Sequence, residues 1–346
     1  MKYILLLILL ISLLVVPVHA SQLEAPEVPG DVSDLMPPKQ ESFGEGLWYV
    51  IRSAVEKVNP DIAQAGSACV TVMVAALITG VLSGFSGAHK SVTQLAGTAV
   101  ISVTLLSGTK ALIFEGIQTI NQISEYGKLL LPVMTAALAS QGGITSSAAA
   151  YTATALFDTV LMKMIQVLLF PLLMIFIALA ISSSALANDM LVKLKDATKK
   201  LIGWGLRCIL YIFTGYISIT GVVSGTADQT ALRATKLTIA GMVPVVGGIL
   251  SDASEAVLVG AGTIKNAAGI YGLLAILALA IGPFIRIGIH YLLFKLCALA
   301  CSILAEKRLS DLIQDFSAAM GLVLAMTGSV CLLFLISIIC MMRGMS

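Results

Sequence analysis

Ionisable side chains are scarce in this sequence, and those set among apolar runs are the ones with chemistry to explain. Asp252 and Glu255 lie between a pair of short apolar runs, 237–251 and 256–264. Arg286 and His290 follow Pro283 and lie four residues apart, so a helix puts them on one face. Ionisable groups at membrane depth are costly and by default mark a path for ions or substrate. These four are therefore candidate conduit or coupling residues. The competing structural roles are a solvated loop for the acidic pair and snorkelling to the cytoplasmic interface for the basic pair. Lys193, Lys195, Lys199 and Lys200 make the one dense cationic cluster, suited to anionic lipid head groups or an acidic cytoplasmic partner. Arg207 interrupts the apolar run 201–227, and snorkelling is expected of it too. Asp311 and Asp315 stand opposite a stripe of Leu309, Leu312, Ile313 and Phe316. That amphipathic pattern either lies on the bilayer or docks a soluble partner such as an ATPase.

Covalent chemistry finds little support. "GFSG" at 84–87 resembles the serine motif of intramembrane rhomboid proteases, but a serine needs a histidine within hydrogen-bond reach to become a nucleophile. Here the motif closes an apolar run instead of opening a helix, and small residues at a helix end explain it. The six cysteines (Cys69, Cys208, Cys297, Cys301, Cys331, Cys340) all sit in apolar segments and none lies in the N-terminal polar region. Cys297 and Cys301 are one helical turn apart, without a further Cys or His at metal-site spacing. There is no HExxH, nucleotide-binding loop or carboxylate dyad. The expectation is a protein that is not an enzyme and uses no cofactor or metal.

The elements that position these groups follow from composition. The chain has 346 residues, 58% hydrophobic and 12% charged, with a mean hydropathy of +0.98. A soluble domain has no way to bury that much apolar surface, so the expected fold class is an all-α polytopic integral membrane protein. The net charge of +2, with no long basic run, argues against a nucleic-acid partner. Residues 1–20 read as a signal peptide: Lys2, an apolar stretch from Ile4 to Val16, then Val18 and Ala20 at the cleavage positions before Ser21. Residues 21–61 read as an exported acidic tether followed by an amphipathic helix with Leu47, Val50, Ile51, Val55, Val58 and Ile62 on one face. Residues 62–128 carry two transmembrane helices and an interfacial helix bearing Ile113, Ile117 and Ile120. Residues 129–227 and 228–346 form two internally repeated units.

The repeat rests on spacing. Pro132 and Pro171 are 39 residues apart, as are Pro244 and Pro283, and "LPV" at 131–133 answers "VPV" at 243–245. In transport proteins, interrupted helices at matching positions point to the central site. The stretch 129–157, with Pro132 and Gly142-Gly143, and its counterpart 237–264 are expected to fold back as re-entrant hairpins, because crossing would export the 193–200 lysine cluster. Six full spans and two re-entrant segments result, with both termini outside.

One family carries the same order of features. The signal peptide, the acidic tether, "SVTQLAGTAVISVTLLSGTKALIFEGIQTINQISEYGKLLLPVMTAALASQGGITSSAAAYTATALFDT" and the "FPLLMIFIALAISS" helix together resemble stage III sporulation protein AE of endospore-forming bacteria. The resemblance runs over most of the chain after residue 60 and is most specific through 126–160. It implies a multi-pass subunit in the mother-cell membrane surrounding the forespore, within a channel or secretion-like complex that sustains late forespore gene expression. Its implied partners are other stage III sporulation membrane proteins, a cytoplasmic ATPase subunit and a forespore-side partner across the intermembrane space. A stand-alone permease and a non-conducting scaffold are the other classes open to such a chain. The family lends no catalytic motif, so no site residue transfers from it.

Overall fold

Uninterrupted apolar runs with few helix breakers give very long helices. The computed structural model describes residues 26–37, 43–85, 90–140, 144–219, 267–304 and 306–343. Apart from a single turn at Gly30–Ser33, their α-helices are α1 (Phe43–Phe85), α2 (Lys90–Ser140), α3 (Ile144–Met164), α4 (Phe170–Leu186), α5 (Asp189–Ile219), α6 (Ala267–Leu304) and α7 (Lys307–Arg343). A π-helical turn, Ile165–Leu169, joins α3 to α4. Five stretches among the described residues are long and apolar enough to cross a bilayer: Ala65–Phe85, Ser91–Ala136, Tyr151–Leu186, Gly269–Ile303 and Lys307–Met342. The protein is an all-α, multi-pass membrane protein.

α7 is the centre of the body. It packs against α6, α2, α4, α3 and α5, and 78% of its most apolar window is buried. Leu309, Leu312, Ile313 and Phe316 are each almost fully buried. This corrects the expectation of a peripheral amphipathic helix over 307–316: the stripe faces neighbouring helices, so neither bilayer nor soluble partner is what covers it.

The interfacial helix expected at 111–128 is likewise the middle of α2, a 51-residue helix about 75 Å long. Ile113 and Ile120 are buried by protein rather than by a membrane surface. The amphipathic stretch 47–62 is also continuous with the span that follows it in α1, and Val50 is buried. The stretch 129–157 is shared between two helices, with 129–140 ending α2 and 144–157 beginning α3. Contacts of Asn121 with Gln166 and of Lys128 with Asp158 run these helices antiparallel, so the chain does reverse between them. The arms, however, belong to long helices and do not make a short hairpin of their own. Pro132 sits inside α2 without ending it.

The segment 237–264 lies outside the described residues, as does the signal region 1–20. The described end of the acidic tether is docked: Leu35 and Met36 are buried, and Tyr126 Oη donates to the Pro26 carbonyl at 3.2 Å. The order of a long helix, a short connection and a second long helix occurs twice, in 144–219 around 187–188 and in 267–343 around Glu306. In the first, Ala187 adopts the left-handed conformation (φ 53°) and its N–H bonds the Ser183 carbonyl, which closes α4. Asn188 Oδ1 then accepts from the Met190 N–H at 2.8 Å and starts α5.

Small residues let α2 approach α7. A Cβ on Gly127 would fall within the Phe334 ring, and one on Gly116 would meet Val323. Gly127→Ala is therefore expected to lower stability by about 1–3 kcal/mol through overpacking. Phe334→Leu in the same chain should restore much of the loss, as read by thermal unfolding in detergent. Equal destabilisation of the single and double variants would count against this contact.

Candidate functional site: charges paired between apolar helices

Three ionic contacts tie the helices together from inside. On α2, Glu115 Oε1 accepts from Arg286 Nη1 of α6 at 3.0 Å, with side-chain exposures of 27% and 40%. Gly116 makes the approach possible, since its missing side chain leaves room for Val323 and for Ile287, the neighbour of Arg286. His290 stands one turn further along α6. Its Nδ1 is 2.9 Å from the Arg286 carbonyl and its ring meets the edge of Phe294. The expectation that Arg286 and His290 share a face holds. Arg286 reaches across to a carboxylate.

The second contact lies on α2 nine residues beyond Glu115, about 14 Å along the axis. Asp158 of α3 is buried and accepts from Ser124 Oγ at 2.9 Å, while Lys128 Nζ stands 3.8 Å away. The ammonium is exposed and the carboxylate is not; hydroxyl and ammonium both reach Oδ2, while the buried Oδ1 has no hydrogen-bond partner among the described residues. Ser124→Ala removes the better placed donor and should cost about 1.5–3 kcal/mol, the range for a hydrogen bond to a charged group. Thermal unfolding of detergent-solubilised protein measures this, and an unchanged midpoint would contradict the assignment.

The third contact corrects the sequence reading of two residues. Lys195 Nζ of α5 lies 2.6 Å from Asp315 Oδ2 of α7, with the side chains only 8% and 13% exposed. Lys195 and Asp315 are thus partners of each other, buried between helices, and not contacts for lipid or a soluble protein. The reason is that each belongs to the inward face of its helix, beside Thr198 and Ile202 on α5 and beside Leu312 and Phe316 on α7. Lys193, Lys199, Lys200 and Asp311 are exposed.

Where α7 begins, Gln94 Nε2 bridges both oxygens of Glu306 at 2.6 and 2.8 Å. Asp252 and Glu255 fall outside the described residues. Glu115 and Asp158 were not singled out from sequence. Each is an isolated acid beside apolar runs, which could have flagged it, but its partner lies on another helix and nothing in the spacing names it. The cysteines are free, and Cys297 Sγ donates to the Cys69 carbonyl at 3.7 Å as packing thiols do.

A family model described as stage III sporulation protein AE matches residues 35–344. The curated Stage III sporulation protein AE of Bacillus subtilis (strain 168) is 24% identical over 239 residues, which cover 69% of this chain. The match spans 60% of that relative's own length. No solved structure matches the chain.

Proposed function

The chain belongs to the stage III sporulation protein AE family, and from that premise we propose that it is a membrane subunit of a channel or secretion-like complex between mother cell and forespore. The family match over 35–344 carries this reading. Ion pairs held between apolar helices favour a conduit over inert packing, since charges kept at membrane depth usually serve a path. In this account the chain sits in the mother-cell membrane that surrounds the forespore and sustains late forespore gene expression. It works with other stage III sporulation membrane proteins, a cytoplasmic ATPase subunit and a forespore-side partner across the intermembrane space. Lys199 and Asp311 are open to lipid or to those partners, and Asp252 and Glu255 stay candidates for coupling within the conduit.

Affinity purification of the full chain from membranes of sporulating cells is the test. Recovery of several other sporulation membrane proteins with an ATPase is the expected result. A chain recovered alone, in cells whose late forespore expression survives its deletion, would sink the reading and favour a stand-alone carrier.

A further inference from the structure

α5 turns one face into the body and leaves the other open. Lys195, Thr198, Ile202, Leu206, Ile209 and Phe213 are buried. On the opposite side Lys193, Lys200 and Arg207 recur every seven residues, about 10.5 Å apart, and all three are exposed. Trp204 and Tyr211 stand between and beyond them, also exposed. None of the three cations forms an ion pair with another described residue. Asp196, exposed one turn from both Lys193 and Lys200, offsets some of their charge.

The depth of this face follows from its neighbour. α5 runs antiparallel to α3 and α4: Gly205 packs beside Met164 and Leu169, and Phe213 meets Phe157 edge-on at 5.3 Å. The stretch Tyr151–Leu186 on that neighbour has the highest hydropathy of the five candidate spans, 2.7, and exposes Val167, Leu168 and Ile175. The uncharged run 164–188 sets the apolar band of that arm, and the irregular backbone at 187–188, which does not sit in lipid, closes it. Lys200, thirteen residues past Ala187, is then about 20 Å deep in a hydrocarbon core about 30 Å thick. It is about 10 Å from the nearer surface, a long reach for snorkelling. Arg207 sits level with the far side. One hairpin therefore shows aliphatic side chains on one arm and, at the same depth on the other, Lys200 without an ion pair among the described residues, flanked by a cation towards each surface, and only water or an acid satisfies it.

We propose that the Lys193–Lys200–Arg207 face of α5 lines an aqueous, cation-walled passage, closed by neighbouring subunits, whose permeant species are anionic. This rests on the conduit reading and specifies its wall and its charge preference. Single substitutions Lys200→Cys, Trp204→Cys, Val167→Cys and Ile175→Cys, each with Cys208→Ser, are compared in membranes of sporulating cells using impermeant thiol reagents. The expected result is labelling at Lys200→Cys and Trp204→Cys, with Val167→Cys and Ile175→Cys silent. At Trp204→Cys, where all three cations remain, an anionic reagent should react about tenfold faster than a cationic one of equal size, as in a focused field. Silence at Lys200→Cys would overturn the passage and place lipid or a partner helix there. Equal labelling of all four would place the hairpin outside the bilayer, and equal rates for the two reagents would remove the anion preference. Because labelling reads the face directly, it can fail or succeed independently of whether deleting the chain blocks late forespore expression.

Discussion

Replacing Lys195 with methionine is expected to lower the stability of the solubilised protein by about 3–5 kcal/mol, the cost of stranding one member of a buried ion pair. The ammonium lies 2.6 Å from Asp315 between helices that exclude most solvent, and methionine keeps the stem while removing the charge. Asp315 is then left without a direct ion-pair partner, with only the more distant Lys199 ammonium to offset its charge. Adding Asp315→Leu should recover most of the loss, because a pair exchanged for well-packed apolar groups is often near neutral. Lys193→Met, on an exposed position of the same helix, is the control and should stay within about 0.5 kcal/mol of the parent. Thermal unfolding in detergent reads all three. Equal effects at 195 and 193 would contradict the inward assignment of Lys195.

Neutralising both members of the Glu115–Arg286 contact should separate folding from function. The two side chains are 27% and 40% exposed, so the pair is partly solvated. Its single variants should fall between the roughly 1 kcal/mol of exposed pairs and the loss for buried ones. Glu115→Gln with Arg286→Gln leaves two neutral groups able to hydrogen-bond each other, so normal accumulation and normal partner recovery are expected. A path that needs those charges should nonetheless lose late forespore reporter expression down to the deletion background. Full expression in the double glutamine variant would reduce the pair to a structural contact.

Much of the fold was legible because lipid imposes a simple rule: uncharged runs of sufficient length become helices that cross. What the runs concealed was continuity. The charged residues Lys110, Glu115, Glu125 and Lys128 looked like a break between spans, yet α2 carries them along one unbroken helix, with Glu115 and Lys128 met by Arg286 and Asp158 from elsewhere. Arg286 and His290 were found from spacing alone, whereas the carboxylate that fixes Arg286 lies 171 residues away. The stripe at Leu309–Phe316 shows the same limit from the other side. Amphipathic spacing revealed a buried face but not whether protein or bilayer buries it.

Conduction itself is the most direct test of the account. The complex purified from sporulating cells through this chain, reconstituted into vesicles that hold an anionic fluorescent dye, should release the dye. The same membrane partners prepared from cells lacking the chain should retain it. Equal release from both preparations, with the full complex verified in the first, would contradict the claim that this protein helps to form the conduit.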